Sequence, residues 1–411
     1  MATAPQIELR NTETVPVRAD RSPIKSVTVR LVDAGHLRDY EEAWWKLSDC
    51  AVVPNAYYDP WMLLPAIELH AKAESLHFLL VFGPTGKDGV EPLWGFFPLE
   101  VLTKCLHLPI RTLAFWQHRN CWLTAPLIDR DRIREVLDAF WRWFESNPLG
   151  CRILDTNYLP ADGPFHAVWA DFAIGRSSLM LRDFPRAFFA ASGTAESYIS
   201  KAVSKKHSDT FLRQKRRLSE LGKLEYHQVE SLEEIDAWLD DFMKLEVSGW
   251  KGGVSGNALA KERQDADYFR TFTREGFQRH RVLLLSLVLD GKAIAMKQIL
   301  LAGGGGFVFR ITYDETYAKY SPGLLLELEN MRRAWDGSQI KWMDSCANPR
   351  HPLFNRIWSE RRMLRRTLFS NSSRLSDFWI AVVPLLRWIK KRIKREEPAD
   401  YLQISTQIEK Q

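Results

Sequence analysis

Cysteine is scarce in this sequence, and what there is does not pair: the residues at 50, 105, 121, 151 and 346 are odd in number and lack C-x-x-C spacing. That excludes a closed disulfide framework and a cysteine-built zinc site, and points to reduced thiols in a cytosolic protein. Histidines are scattered without H-E-x-x-H, and neither G-x-S-x-G nor a Walker A loop occurs. The chain therefore offers no zinc-protease helix, hydrolase nucleophile or nucleotide-phosphate loop, and a metal-free reaction is expected. Long apolar runs are also missing; none approaches the roughly 20 residues that cross a bilayer as a helix. Residues 1–26 carry Pro, Thr, Arg and Glu without an apolar core, which fits neither a secretory signal nor a span and is read as a disordered lead-in. Charge of one sign is not abundant either: a net +6 over 411 residues does not by itself imply nucleic acid.

What the chain has is core. Its 45% hydrophobic and 12% aromatic content is enough for two domains of ordinary size. Residues 281–301 show two apolar runs around Asp290-Gly291, a hairpin signal. A third strand, 307–313, follows the run Gly303 to Gly306; glycines that precede a strand rather than a helix read as a hairpin turn, not as a phosphate loop. A helix at 322–336 and the strand I-K-W-M-D-S come next. The first half runs in the same order, with strands at 79–83, 93–102, 112–116 and 121–128, a helix at 131–147 and a closing strand at 152–155. I-L-D-T-N-Y-L-P mirrors W-M-D-S-C-A-N-P and sets Asp155 and Asp344 at equivalent strand ends. An internal duplication of one α/β unit is expected, with domains at 27–185 and 186–372 and a basic amphipathic tail at 373–411.

Ser321 is a natural N-cap and Pro322 suits a first helical turn. The helix behind them, with Leu324, Leu328, Met331 and Trp335 at helical spacing, turns its N–H groups toward the strand ends, where an anion or a carbonyl oxygen is favoured. Between the units, residues 194–222 read as one helix crowded with Lys201, Lys205, Lys206, Arg213, Lys215, Arg216 and Arg217. In a second helix, 231–248, the apolar stripe Ile235, Leu239 and Phe242 runs on into Glu246. Gly249-Trp250-Lys251-Gly252-Gly253 then reads as a flexible loop bearing one aromatic and one cation. Together with Glu246 it looks like one edge of a pocket.

Antiparallel strands, a helix opening onto the sheet and a further strand follow the order of the GNAT acyltransferase fold, and two in tandem resemble the FemABX arrangement. Three stretches are similar to the CelD/BcsL-like branch, associated with bacterial exopolysaccharide and cellulose synthesis: L-E-V-S-G-W-K-G-G-V-S-G-N-A-L at 245–259, Y-D-E-T-Y-A-K-Y-S-P-G at 313–323 and D-S-C-A-N-P-R-H-P-L-F-N-R-I-W-S-E-R-R at 344–362. The resemblance covers residues 27–372. It implies an α/β (α+β) fold of tandem GNAT-like domains, each a mixed, largely antiparallel sheet flanked by helices. It also implies an N-acyltransferase using acetyl-CoA or another acyl-CoA on an amino sugar of a lipid-linked or nucleotide-linked precursor. One departure stands out: where the family has an R/Q-x-x-G-x-G/A loop for the CoA pyrophosphate, Tyr320-Ser321-Pro322-Gly323 offers one glycine and a proline. FemABX relatives draw on aminoacyl-tRNA, so a FemX-like aminoacyl transferase acting on a peptidoglycan precursor is the alternative, with the basic helix on tRNA phosphates. A non-catalytic regulator gripping a phosphate with Arg361 to Arg366 is a third reading.

Acyl transfer to an amine needs a proton acceptor, donors for the oxyanion and alignment. Asp344 and Glu246 are the candidate bases, each also open to a structural role, and Tyr313 is the candidate donor to the oxyanion or leaving group. Tyr320, Ser321, Gly323 and Lys251 are assigned to the acyl donor; Trp250, Lys297, His351 and Arg361 to the substrate, with Lys297 sharing the neutralisation of donor phosphates. His207 reads as an ordinary helix histidine. The segment 376–395 sets Trp379, Ile380, Leu385, Leu386, Trp388 and Ile389 beside six basic residues. It is either an interfacial helix on an anionic membrane surface or a helix docked on the body. A cytoplasmic location is expected, peripheral at the inner face of the plasma membrane if the helix meets lipid.

Overall fold

The computed structural model describes residues 27–70, 75–106, 108–147, 149–190, 194–335 and 340–394. The expected lead-in and the end of the tail lie outside them. In the first half, β1 (Thr28–Val32), α1 (Glu41–Cys50), α2 (Pro60–His70), β2 (Leu76–Phe82), β3 (Leu93–Leu102), β4 (Thr112–Phe115) and a short β5 (Leu127–Ile128) lead to α3 (Ile133–Glu145), β6 (Ile153–Pro160), α4 (Gly163–Ala173) and β7 (Ser178–Ala190). The second half begins with α5 (Ala195–Ala202), α6 (Lys205–Ser219), β8 (Leu224–Gln228), α7 (Leu232–Ser248) and α8 (Arg263–Gln278). It continues through β9 (Val282–Leu289), β10 (Lys292–Ala302), β11 (Gly305–Tyr313), α9 (Pro322–Trp335), β12 (Trp342–Asp344), α10 (Phe354–Ile357) and β13 (Glu360–Ser370), and α11 (Arg374–Lys394) follows.

Local chemistry explains much of this. Gly303 and Gly304 both take left-handed φ, at 54° and 74°, and make the two-residue turn between β10 and β11; such a turn matches strand twist, and glycine carries no steric cost there. Asp290-Gly291 turns β9 into β10 in the same way. α3 buries Val136, Leu137, Phe140, Trp141 and Phe144 on one face. The helix expected at 194–222 is instead two. Buried Val203 is extended, with φ −114° and ψ 123°, and α6 restarts after Ser204.

One sheet runs through both halves in the order β1-β2-β3-β4-β6-β13-β7-β12-β11-β10-β9-β8, with β5 on β3. The last strands are exchanged. β7 of the first half pairs with β12 of the second, β13 of the second pairs with β6 of the first, and β7 and β13 pair with each other. A boundary at 185–186 therefore falls inside β7. Neither exchanged strand is among the expected ones, because their charges (Arg182, Asp183 and Arg186; Arg361, Arg362, Arg365 and Arg366) interrupt the alternation that marks a half-buried strand.

The halves also meet under the sheet, where the Tyr268 hydroxyl of α8 donates to Met62 O of α2 at 3.3 Å. Beside this contact His70 and His118 stack with ring centroids 6.1 Å apart, both edge-on to Tyr268, while Asp265 takes Arg119 at 2.9 Å and Asn120 at 3.2 Å. Burial, helped by the neighbouring His70, pushes His118 from 6.5 down to about 3. The unfolded chain takes up the proton first, so stability is full above pH 6.5 and falls as pH drops toward 3. The unfolding free energy measured in urea is expected to decline by about 1.4 kcal/mol per pH unit below 6.5 on account of His118, and His118→Asn to flatten that decline.

Candidate active site

β11 and β12 run parallel only from Gly305–Trp342 to Phe307–Asp344. β11 continues to Tyr313, whereas the chain after Asp344 leans onto β7, with Ser345 N donating to Ala187 O at 3.1 Å. The two strands split, and beyond Phe307 that edge of β11 is released. The first half has the same split, since β4 and β6 pair only from Thr112–Ile153 to Ala114–Asp155. There it is filled. Thr124 N bonds Tyr158 O at 3.4 Å, the Thr124 hydroxyl bonds Asn157 O, and Asn157 Nδ2 bonds Gln117 Oε1 at 2.6 Å. Asn55 Nδ2 holds the same segment at Leu123 O (3.0 Å) and Ala125 O (2.8 Å). This is why the strand expected at 121–128 shrinks to Leu127–Ile128.

At the mouth of the second split lies the end of α7. Glu246 is wholly buried; its Oε1 takes Lys251 Nζ and Arg310 Nη1, both at 3.1 Å, and its Oε2 takes Leu259 N at 2.8 Å. Burial works against the carboxylate's charge, but Arg310 and Lys251 outweigh it and hold its pKa below the usual range. Lys251 also donates to Ile311 O at 2.8 Å, on the released edge of β11. Burial pulls its pKa down to about 8 against the opposing pull of Glu246. One buried carboxylate facing two cations leaves a net positive charge at the mouth.

The glycine-rich loop is bonded throughout. Ala258 N closes it on Lys251 O at 3.0 Å, and Lys261 Nζ gathers Gly253 O, Val254 O and Gly256 O at 2.7, 3.1 and 2.9 Å. A Cβ at Gly256 would stand 2.1 Å from Lys251 O, so this position admits only glycine. Glu315 Oε1 takes Trp250 N at 2.7 Å, and the Trp250 ring stands out of the loop, 66% exposed.

At the start of α9, Ser321 does not cap with its side chain. It adopts φ 54°, its O accepts Leu324 N and Leu325 N at 3.0 and 3.1 Å, and its hydroxyl accepts Gln214 Nε2 of α6 at 3.1 Å. Pro322 has no N–H, which leaves the Gly323 amide. A side chain at Gly323 would touch Tyr313, Ile311 and Leu353 at 3.6–3.7 Å, so Tyr313 lies beside the helix start. Tyr320 sits under Lys319 Nζ at 5.0 Å. Burial, aided by the Lys251 charge, drops His351 to about 4, and its Nδ1 is buried without a hydrogen-bond partner.

Glu246, Lys251, Tyr313, Gly323 and His351 thus come together at one mouth, with Trp250 at its rim. Other residues assigned to the site lie elsewhere. Asp344 is wholly buried at the root of the split, bound by Arg186 at 2.6 and 2.7 Å, Arg362 at 3.1 Å and Cys346 N at 2.9 Å. Burial opposes its charge, yet Arg186 and Arg362 carry its pKa below the usual value. The first-half counterpart is Asp155, gripped by Arg366 at 3.0 and 2.7 Å. Each strand-end carboxylate is therefore held by an arginine from an exchanged strand.

Lys297 does not face a donor phosphate. It is wholly buried and paired with buried Glu327 of α9, under the rings of Phe354 and Trp358. Arg361 turns back on Trp358 O and Glu360 O, both at 2.7 Å, and Arg365 holds Asp183 at 2.7 and 3.1 Å; both arginines make hydrogen bonds within the fold. Arg310 is absent from the expected set, although a lone cation in F-V-F-R-I-T-Y was a visible signal.

The fold is a mixed α/β, tandem GNAT-like one, with a large, mostly antiparallel sheet and flanking helices. Residues 205–350 match the family described as Acetyltransferase (GNAT) domain. The chain is similar in structure to a conserved protein of unknown function from Bacteroides thetaiotaomicron VPI-5482, at TM-score 0.51 and 10% identity over 84% of this chain and 100% of that one. It is also similar to FemX, at TM-score 0.51 and 8% identity over 80% of this chain and 95% of that one. These likenesses concern the fold alone. Comparison with curated proteins found no match.

Proposed function

We propose that the protein is an N-acyltransferase that takes its acyl group from an acyl-CoA, acetyl-CoA foremost, and passes it to the amine of an amino sugar in an exopolysaccharide precursor. The observation that carries this reading is the second-half split, with Glu246, Lys251 and Arg310 at its mouth. An extended, amide-bearing chain such as pantetheine fits a released strand edge, which offers backbone groups between Val308 and Tyr313 other than Ile311 O, already bonded to Lys251. The Gly323 amide suits a phosphate at the helix start. In place of a second glycine, Ser321 supplies the left-handed turn.

The thioester supplies an activated carbonyl carbon and a sulfur leaving group. Glu246 fixes Lys251 and Arg310, and the Arg310 guanidinium, charged in either form of Lys251, stabilises the oxyanion formed when the amine adds. The nitrogen sheds a proton as the C–N bond forms and the C–S bond breaks. Lys251, with a pKa near 8, is the group matched to accept that proton. In this reading Tyr313 donates to the departing sulfur, and Asp344 is a positioning residue that anchors the root of the split. His351, neutral at physiological pH, lines the acceptor side. Trp250 gives a sugar ring an exposed stacking face. The stretches at 245–259, 313–323 and 344–362 support the exopolysaccharide branch, with a cytoplasmic precursor as acceptor.

Calorimetric titration with acetyl-CoA and free CoA tests the donor. Binding of both, weakened in Lys251→Met, is expected. Failure of both to bind would overturn the reading in favour of aminoacyl-tRNA on the exposed basic face of α6, which salt-sensitive tRNA binding would then reveal.

A further inference from the structure

Helix α11 carries two apolar faces. One is docked: Ile380 and Val383 are buried and Trp379 packs beside them, with Ile380 and Trp379 in the small core of Cys105, Ile110, Ile153 and Leu368. Its first turn is fixed by buried Ser376, whose hydroxyl meets Asn371 Oδ1, Ser373 O and Ser370 Oγ at 2.8, 2.8 and 2.7 Å. The other face is bare. Leu375, Phe378, Leu385 and Trp388 are 47, 57, 54 and 55% exposed, and their spacing of 3, 7 and 3 falls on one stripe of a 3.6-residue helix. The Arg392 guanidinium lies 4.8 Å above the Trp388 ring at the far end of that stripe.

Charge along this segment has one sign. From Phe378 to Arg395 the sequence holds six Lys and Arg and no Asp or Glu. Among the described residues no helix is long and apolar enough to cross a membrane. Large apolar side chains with one aromatic in each half of the stripe, beside a run of cations, match the boundary between acyl chains and anionic headgroups. A second copy of the same helix would face like charge with like charge.

We propose that the outer face of α11 is a membrane-surface anchor, with Leu375, Phe378, Leu385 and Trp388 bedded in an anionic lipid leaflet, Arg392 at its phosphate headgroups, and the positive charge of the surrounding sequence drawing the helix to that surface. The proposal stands on α11, which packs on β13 and the core of Cys105, Ile110, Ile153 and Leu368 and holds none of the residues of the acyl-transfer site, and it does not depend on that chemistry. Because the inner face is docked beside β13, the lipid surface holds the whole body in one orientation rather than on a loose tether.

The test is co-sedimentation of the full chain with vesicles of phosphatidylcholine alone and of phosphatidylcholine with phosphatidylglycerol. Binding to the anionic vesicles, lost in high salt and weakened about tenfold or more in F378E/W388E, is expected, with little binding to phosphatidylcholine alone. Both substitutions sit at exposed positions, so an unchanged melting temperature verifies that the body is intact. Absence of binding to anionic vesicles, or equal binding by the double variant, overturns the proposal. So does a dimer in solution that the double variant dissolves, which would assign the stripe to a second copy.

Discussion

Asp344→Ala is expected to destabilise the fold by about 3–5 kcal/mol, because it leaves the buried Arg186 guanidinium without its counterion. Arg186 is 2% exposed, and of its contacts only Trp122 O, at 2.6 Å, would remain. Against a total stability of about 5–15 kcal/mol, that loss is large enough to leave much of the protein unfolded or aggregated. Asp155→Ala should cost less, since its partner Arg366 is about one-third exposed and partly solvated. The ion pair has a pH signature. With its folded pKa below 3.8, Asp344 contributes stability above that value and loses it as pH falls through the folded pKa. Urea unfolding of the two variants measures both effects. An Asp344→Ala protein as stable as wild type but inactive would return Asp344 to the role of base.

Lys251→Met should leave the chain folded while lowering kcat/KM by about 10²- to 10⁴-fold, the range for loss of a positioned proton acceptor. The pH profile makes the role separable from a merely structural one. The base form gains population as pH rises through about 8, so wild-type kcat/KM should climb to a plateau there, and the variant should lack that limb. Lysine and arginine are not interchangeable here: Lys251→Arg keeps the charge but cannot release the proton near neutrality. If the limb survives in Lys251→Met, the proton leaves by another route.

Where a signal is local, the sequence carried it. Asp290-Gly291, Gly303-Gly304 and Pro322 mark turns and a helix start because backbone preference is a property of one or two residues. The apolar stripe of α7 running into Glu246, with a cation and an aromatic five residues or fewer beyond, was enough to bring that residue and Lys251 to one pocket edge. Arg310 could have been found as the lone charge in an apolar strand.

The sequence by itself determined the central run of each half, β2 to β4 with α3 and β6 in the first and β9 to β12 with α9 in the second, and the loops that carry the site. Only the tertiary structure decided which strands end each half. The ion pairs that mark the exchange, Arg186 with Asp344 and Arg366 with Asp155, join residues 158 and 211 positions apart, and pairing at that range leaves no period in the local pattern. Tertiary structure also separated two lysines that look alike in sequence. Lys297 is sealed against Glu327 beneath aromatic rings, while Lys251, sharing its carboxylate with Arg310 at the mouth of the split, keeps a proton it can exchange near neutral pH. Burial and the partners that accompany it make that difference, and both are set by folding.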